Sequence, residues 1–354
     1  MRGPSSMNAS PSTTNPGAKP GPRNLITDVP GLKVGQAEDV DARTGVTVIL
    51  PDERAVCACD VRGGAPGTRE TDALAPENLV DAVDAVVLSG GSVYGLASAD
   101  GVVGWLGARG RGFGLAPSPD VPPSPVVPAA ILFDMANGGR KAWGEAPPYR
   151  DLGRSAVAAA ADNFRLGTAG AGYGAMAGAL KGGIGSASIV SADGFTVGAV
   201  VAVNAWGSVL APGGRTFWAA PFEAAGEFGG LGAAGLSAAP EDWGLAKGAE
   251  APRNTTLACV ATDVALTPAQ ARRVAIMAQD GLARAIRPIH APFDGDVVFA
   301  ISTARQACPE PAQLTVARLG SLAADVLARA VARAVYEATP WPDAAVPCWR
   351  DLPA

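Results

Sequence analysis

The stretch around Thr255 has the residue types of a nucleophile that the chain makes by cutting itself. Asn254, Thr255 and Thr256 stand where a polar segment passes directly into an apolar, β-favouring run. A threonine hydroxyl is a weak nucleophile without a nearby base. If the Asn254–Thr255 bond is cut, the new α-amine lies on the same residue as the hydroxyl, and its reference pKa of about 8 suits a base at neutral pH. Taken alone, these residues are also typical of a turn that enters a strand.

The single histidine limits the other ways to activate a hydroxyl or thiol. A Ser-His-Asp or Cys-His hydrolase would have to use His290, and no G-x-S-x-G motif occurs. The five cysteines form no C-x-x-C pair, so we expect free thiols and no metal site. Cys57 and Cys59 alternate in an apolar run and should share one face of a strand.

Two polar residues interrupt apolar stretches and are candidates for a site. Lys181 is the one charged residue from position 166 to 192, so it either reaches solvent or is placed for chemistry. Asn204 divides the apolar run 195–210 into two strand-like halves. It could cap a turn, which the local sequence favours, or direct an N–H donor into a site.

Asp294 and Asp296 flank a glycine immediately before another apolar run. Paired carboxylates here could bind a cation such as calcium, form an ordinary Asp-Gly turn or orient a catalytic group. Two ligands are too few for a metal site, and the local composition favours the turn.

Two glycine-rich segments could hold a phosphate group. Ser89–Ser92 lies between a strand and a helical pattern but lacks the lysine and spacing of a P-loop, which favours close helix–strand packing. Gly170–Ala175 satisfies G-x-G-x-x-A with Asp193 downstream, but no convincing strand precedes it. A glycine-lined pocket floor fits this second segment better.

The composition is that of a globular chain with a large core. Apolar residues make up 48% of the 354 residues and charged residues 17%. A net charge of −5 without a basic cluster argues against nucleic acid and anionic membranes as partners. No apolar run is long enough to span a bilayer and no signal-peptide h-region is present, so the expected location is the cytoplasm.

The elements that must position these residues are short before Thr255 and regular after it. Residues 1–23 are rich in Pro, Ser, Thr and Gly and should form a disordered tail. Residues 211–254 lose all periodicity, as in a linker or exposed loop. Strands are predicted over 32–34, 45–50, 55–61, 83–88 and 129–134, with a helical pattern over 94–106.

The last hundred residues predict a β-α-β-α unit whose first strand begins at the candidate nucleophile. We predict strands over 256–262 and 297–303 and a long Ala-rich helix over 312–338. Thr267 and Pro268 supply an N-cap and a first-turn proline for a helix that reaches about residue 285. The start of this unit gives a reason for a chain end at Thr255.

The motifs together resemble those of the self-processing DmpA-type aminopeptidases and amidases. This family includes the β-peptidyl aminopeptidases and the nylon-oligomer (6-aminohexanoate-oligomer) hydrolase. The resemblance covers residues 24–337 and includes an opening segment over 25–35. In the family's order, the chain carries Arg62–Ala65, Leu180–Gly185, Asn204 in its apolar run, Asn254-Thr255-Thr256 and Asp294-Gly295-Asp296.

The resemblance implies an α/β fold, namely a four-layer α-β-β-α sandwich of the N-terminal-nucleophile type that is shared with the ornithine acetyltransferases. The precursor would cut itself before Thr255. The resulting α chain (24–254 after the 1–23 tail) and β chain (255–354) would form one domain, usually in a tetramer of αβ units.

The resemblance also implies a role for each candidate. Thr255 would be the nucleophile, Asn204 would donate to the oxyanion, and Lys181 would polarise or position the nucleophile. Asp294 and Asp296 would hold the Thr255 amine. These roles agree with the physics, because an oxyanion needs fixed N–H donors and an amine base needs carboxylates that orient it.

Departures from the family pattern bear on the substrate. The β-peptidyl members use serine as nucleophile and a Ser-x-Glu pair where this chain has Asp294-x-Asp296. Threonine with paired aspartates is similar to the nylon-hydrolase branch. Phe133 stands where the family leads us to expect a tyrosine near the substrate, so that hydroxyl contact is either missing or supplied by another group such as Tyr173.

The sequence thus predicts an amide hydrolase that forms an acyl-enzyme on Thr255, needs no cofactor and acts on small peptides or amino-acid oligomers. An acyltransferase of the ornithine-acetyltransferase type is an alternative, because it would use the same threonine and hand the acyl group to an amine. A third interpretation makes the glycine-rich segments a nucleotide-binding surface on a regulatory domain.

Overall fold

The computed structural model describes residues 17–114, 120–248 and 254–353. In chain order its strands are β1 (Leu32–Asp39), β2 (Thr44–Pro51), β3 (Val56–Val61), β4 (Thr68–Arg69), β5 (Val86–Ser89), β6 (Ala129–Ile131), β7 (Met176–Ala177), β8 (Leu180–Lys181), β9 (Gly183–Val190), β10 (Thr196–Asn204), β11 (Thr255–Val264) and β12 (Val297–Gln306). The α-helices are α1 (Ser98–Gly107), α2 (Tyr149–Ala158), α3 (Pro268–Ala285) and α4 (Ala312–Tyr336).

Two five-stranded sheets form the centre of the molecule. The first has the order β1-β2-β5-β6-β4 and the second the order β3-β12-β11-β10-β9. Their facing sides share one apolar cluster, to which Ile49 and Leu88 contribute from the first sheet and Leu257 and Phe299 from the second. This cluster is the core between the two β layers.

A helix pair covers the outer face of each sheet. Leu106 of α1 and Tyr149 of α2 pack on Val48 in the first sheet. Leu282 of α3 and Leu327 of α4 belong to the cluster on the outer face of the second sheet. The layers are therefore α-β-β-α, as predicted. No helix in the described ranges has the length and apolar character that a bilayer span requires.

The β-α-β-α unit after Thr255 is confirmed. The predicted cap forms, since Thr267 Oγ1 accepts from Gln270 N at 3.3 Å while Gln270 Oε1 accepts from Thr267 N at 2.8 Å. Cys57 and Cys59 lie on one face of β3, and all five cysteines are free thiols.

The glycine-rich segments pack closely against other parts of the chain. A Cβ at Gly91 would collide with the ring of Tyr149, and a Cβ at Gly172 would collide with the backbone of Gly183. The 3-10 turn Gly170–Gly172 does not follow a β-strand, so the dinucleotide fingerprint has no structural support in the described residues. The packing interpretation of Ser89–Ser92 is confirmed.

Five elements were not predicted, and the described chain begins earlier than the predicted tail ends. The sequence pattern missed helix α2, strand β9 and the two-residue strands β4, β7 and β8. Residues 1–16 of the predicted tail lie outside the described residues, but Lys19 exchanges backbone hydrogen bonds of 3.0 and 2.7 Å with Val190. Asn204 ends β10 rather than separating two strands.

Candidate active site

Strand pairing brings three chain segments together at Thr255. β10 and β11 are antiparallel, with Asn204 opposite Thr255. β11 and β12 run parallel and start side by side, so the residues that precede β12 lie next to the start of β11. A further parallel bridge pairs Asn254 with Asp294. The topology therefore places the candidate nucleophile between the candidate oxyanion donor and the paired aspartates.

The Thr255 hydroxyl touches the peptide bond whose cleavage the sequence predicts. The residue is 4% exposed, and its Oγ1 donates a short hydrogen bond to the carbonyl oxygen of Asn254. The same oxygen accepts from Gly295 N at 3.2 Å. A Cβ at Gly295 would lie 2.7 Å from Thr255 Oγ1, so glycine is needed here to leave room for the hydroxyl.

Asp296 is a buried carboxylate whose two oxygens are both held by hydrogen bonds. Its Oδ1 accepts from Thr256 N at 2.7 Å. Its Oδ2 accepts from His290 N at 3.1 Å and lies 2.9 Å from His290 Nδ1. The single histidine thus orients this carboxylate. The described residues contain no group of three or more His, Cys, Asp or Glu placed to hold a metal ion.

Asp294 is equally buried but only half satisfied. Its Oδ2 accepts from Ala291 N at 3.1 Å, whereas its Oδ1 has no hydrogen-bond partner among the described residues. Burial and then the neighbouring Asp296 raise the pKa of Asp294 to about 7, against the hydrogen bond from Ala291 N and the charges of Lys247 and His290. Buried polar atoms are normally paired, so this oxygen is an acceptor that lacks its donor.

Asn204 joins the start of β7 and the loop after β6 to the end of β10. It is fully buried, its Oδ1 accepts from Met176 N at 2.9 Å, and its Nδ2 donates to the carbonyl oxygen of Phe133 at 3.0 Å. An amide nitrogen carries two hydrogens, so one N–H remains for another acceptor.

Lys181 is fully buried, so the alternative in which it reaches solvent is wrong. Its Nζ donates to the carbonyl oxygens of Gly172, Ala175 and Gly182 at 3.2, 3.0 and 2.7 Å. Burial lowers the pKa of Lys181 to about 7. Within the described chain, none of its hydrogen bonds reaches Thr255, so its contacts are with the loop backbone near Asn204.

The two candidate substrate contacts lie in different places. Phe133 follows β6, with a half-buried side chain and the carbonyl that Asn204 contacts. Burial and the carboxylates of Glu38 and Asp343 raise the pKa of Tyr173, against the charges of Arg43 and Arg165. Its carbonyl accepts from Trp341 Nε1 at 2.7 Å. Among the described residues, the Tyr173 hydroxyl makes no hydrogen bond to the residues around Thr255.

Sequence analysis missed Lys247 and Asp134 in this region, and it did not assign His290 its role in orienting Asp296. Lys247 Nζ donates to Asn254 Oδ1 at 2.6 Å. Buried Asp134 accepts from Thr44 Oγ1 at 2.6 Å and from Gly91 N at 2.8 Å. Lys247 stood in a stretch without periodicity and Asp134 at the end of an apolar run, so neither position carried a motif.

Comparison with known proteins gives this geometry a family. The family model of peptidase family S58 matches residues 24–345. An uncharacterised aminopeptidase of Mycobacterium tuberculosis is 47% identical over 354 residues, covering 93% of this chain and 98% of the relative. A 6-aminohexanoate-oligomer endohydrolase of Agromyces sp. (strain KY5R) is 30% identical over 295 residues, covering 79% of this chain and 75% of the relative.

A solved structure establishes the fold. The L-aminopeptidase D-Ala-esterase/amidase of Ochrobactrum anthropi, described as a variant of the N-terminal-nucleophile hydrolase fold, matches with a TM-score of 0.64 and 22% identity over 90% of this chain and 87% of that one. The α-β-β-α sandwich is therefore an N-terminal-nucleophile hydrolase fold. The named relatives are hydrolases, which favours neither the acyltransferase nor the regulatory nucleotide-binding alternative.

Proposed function

The chain belongs to peptidase family S58 and is a hydrolase, and from this premise we propose that it cuts itself before Thr255 and uses that residue as its nucleophile. The observation that carries the proposal is the hydrogen bond from Thr255 Oγ1 to the Asn254 carbonyl, on whose oxygen Gly295 N–H also converges. A hydroxyl fixed against a polarised carbonyl is the starting geometry of an intramolecular acyl shift.

Self-cleavage follows from this contact in two steps. Thr255 Oγ1 attacks the Asn254 carbonyl carbon, the C–N bond breaks and the nitrogen of Thr255 takes up the proton, which leaves an ester. The N–H of Gly295 stabilises the negative oxygen during the attack. Water then hydrolyses the ester, giving a carboxylate on Asn254 and a free amine and hydroxyl on Thr255.

Substrate hydrolysis uses the amine that self-cleavage releases. The amine takes the proton of the Thr255 hydroxyl as that oxygen attacks the substrate carbonyl, and returns it to the leaving nitrogen. The unpaired Oδ1 of Asp294 is the acceptor for this amine, and Asp296 fixes the start of β11 through Thr256 N. The second N–H of Asn204 stabilises the oxyanion. Water hydrolyses the resulting acyl-enzyme.

Lys181 serves this reaction by holding the wall of the site. Its three hydrogen bonds tie the carbonyls of residues 172, 175 and 182 to one buried nitrogen. Met176 N, which bonds Asn204 Oδ1, follows one of these carbonyls directly. Lys181 therefore positions the oxyanion donor through the backbone.

The substrate class in the proposal is a small peptide or an amino-acid oligomer joined by amide bonds. Named relatives include an aminopeptidase and a 6-aminohexanoate-oligomer endohydrolase. An activity panel of α-peptides, β-peptides, D-amino acid amides and 6-aminohexanoate oligomers distinguishes these substrates. Assembly as a tetramer of αβ units in the cytoplasm is part of the same proposal, and sedimentation analysis tests the assembly.

Thr255→Ala tests the nucleophile, with Thr256→Ala as the matched control. Thr256 Oγ1 is buried without a hydrogen-bond partner among the described residues, so its removal should leave both reactions intact. We expect Thr255→Ala to remain one full-length chain and to lose amidase activity at least about 10³-fold. Intact mass and N-terminal sequencing of the wild type should give a new terminus Thr-Thr-Leu-Ala.

A wild-type protein that stays uncut, or a Thr255→Ala protein that is cut like the wild type, would overturn the proposal. Product analysis with and without an amine acceptor checks the acyltransferase alternative. Hydrolysis products that do not change with the acceptor support the hydrolase.

A further inference from the structure

The segment over residues 243–247 is fixed beside the bond that self-cleavage would break. Ala179 N donates to the carbonyl of Leu245 at 2.8 Å, and Lys247 N donates to the carbonyl of Trp206 at 2.9 Å. The Trp206 ring also packs edge-on against Trp243, with ring centres 5.1 Å apart. Backbone and aromatic contacts thus hold this segment on the loops that surround the site.

Lys247 ends the segment and directs its side chain at the cleavage site. Its half-buried ammonium donates to Asn254 Oδ1 at 2.6 Å. Burial lowers the pKa of Lys247 to about 7, and the charge of Asp294 opposes that fall. One cation therefore contacts the residue that contributes the carbonyl to be attacked and faces the carboxylate that will later hold the amine.

The uncut chain has a charge problem that the cut chain lacks. Asp294 and Asp296 are both fully buried, and the charge of Asp296 raises the pKa of Asp294. Before cleavage, the nitrogen of Thr255 is a neutral amide and brings no positive charge to this pair. Lys247 is the cation that opposes the rise in the Asp294 pKa most strongly.

We propose that Lys247 is a positioning residue for self-cleavage and is dispensable for substrate hydrolysis. The inference rests on the proposed function. Lys247 holds the Asn254 side chain, and with it the carbonyl, against the Thr255 hydroxyl while it balances the Asp294 carboxylate. After cleavage, the Thr255 ammonium takes over that carboxylate. Asn254 becomes a chain end that is no longer linked to β11. The contact of Lys247 with Asn254 is therefore not needed for substrate hydrolysis.

The test measures the two reactions separately in the full-length protein. Wild type, Lys247→Met and Lys247→Arg are made by cell-free synthesis, and the fraction cut at residue 255 is followed by intact mass. We expect Lys247→Met to slow cleavage at least about tenfold, because a charge-assisted hydrogen bond is lost. Lys247→Arg keeps the charge and the donor and should stay within about threefold of the wild type.

Activity per cut chain gives the second readout. Once cleavage is complete, kcat/KM of both variants should lie within about twofold of the wild-type value. Lys33→Met is the control, because Lys33 is an exposed lysine that pairs with Asp52 far from the site in sequence. It should be cut and turn over like the wild type.

Three kinetic results would overturn the inference. These are wild-type cleavage kinetics in Lys247→Met, equally slow cleavage in both Lys247 variants, and a fall in kcat/KM that matches the fall in cleavage rate. In the Thr255→Ala background, the melting temperatures with and without Lys247→Met should differ by only a few degrees. An unfolded Lys247→Met protein would also contradict the inference. A wild type that is never cut instead refutes the proposed function itself.

Discussion

The two sides of Thr255 treat their buried charges differently. On the Asn204 side, Lys181 donates all its hydrogens to carbonyls, and both oxygens of Asp134 accept hydrogen bonds. On the β12 side, Asp294 keeps one oxygen without a partner in the described part of the chain. Burial raises the pKa of both aspartates, to about 6 for Asp134 and about 7 for Asp294.

The difference distinguishes buried charges that stabilise the fold from buried charges that act in the proposed reaction. Buried polar groups whose hydrogen bonds are all made stabilise one arrangement of the chain. An unpaired buried carboxylate is costly, and its cost is justified where a later event supplies the partner. In the proposed function that event is the release of the Thr255 amine. The buried charges on the Asn204 side would then be partnered before cleavage, and those on the β12 side only after it.

Replacing one aspartate on each side of Thr255 by asparagine is the strongest test of this difference. Asp294→Asn should lower kcat by about 10²–10⁴-fold with little loss of stability, because the amine base loses its orienting charge. Asp134→Asn should lower the melting temperature but leave kcat within a few-fold, since the hydrogen bonds that its carboxylate accepts within the described residues come from Thr44 and Gly91. Steady-state kinetics and calorimetry on both variants check this. Similar effects from the two substitutions would end the distinction.

Lys181→Met tests whether the saturated side is scaffold. It removes one hydrogen-bond donor from each of three buried carbonyls, of which those of Gly172 and Ala175 keep a backbone N–H donor, so the free energy of unfolding should fall by about 3 kcal/mol. Urea unfolding in the Thr255→Ala background measures the loss without interference from cleavage. Lys33→Met, on the surface, should stay within about 0.5 kcal/mol. An equally small effect from Lys181→Met would show that its contacts contribute no stability.

The pH dependence of stability tests the state of the Asp294 carboxyl on the β12 side. The folded pKa of Asp294 lies above its unfolded value, so the folded uncut chain binds more protons than the unfolded chain between about pH 4 and 7. Unfolding free energy of Thr255→Ala should therefore fall as pH rises through this window. Adding Asp294→Asn should remove part of the fall, on the order of 2 kcal/mol. Urea midpoints across the window give the result, and identical slopes would contradict it.

The sequence predicted the part of the site that lies on regular elements. Thr255 begins a strand, Thr267 caps a helix, and the next strand follows Asp296, all of which come from hydrophobic periodicity and turn chemistry. The side-by-side start of β11 and β12 then follows from the β-α-β connection. The link between Asp294 and Thr255 itself came from the resemblance to the DmpA-type family, because the local sequence alone favoured an ordinary Asp-Gly turn.

Strand β9 and helix α2, which the sequence did not predict, depend on close packing of small residues. Strand β9 is rich in glycine and serine, which carry little strand propensity. A Cβ at Gly185 would collide with the carbonyl of Ala330, so glycine lets α4 lie directly on the strand. Gly153 of α2 likewise allows contact with the backbone of Ser98 in α1. Such contacts leave no periodic signal in a single sequence.

The positions of β11 and β12 inside the second sheet determine how two polypeptides would be held together if the chain were cut before Thr255. Both strands follow Thr255, yet β10 and β9 flank them on one side and β3 on the other, and all three of those strands precede it. Two polypeptides produced at this point would be interleaved, with hydrogen-bonded seams along both borders. They would migrate as one particle under native conditions and separate only in denaturant, so a chain cut at this point would be a heterodimer of two polypeptides from one gene product.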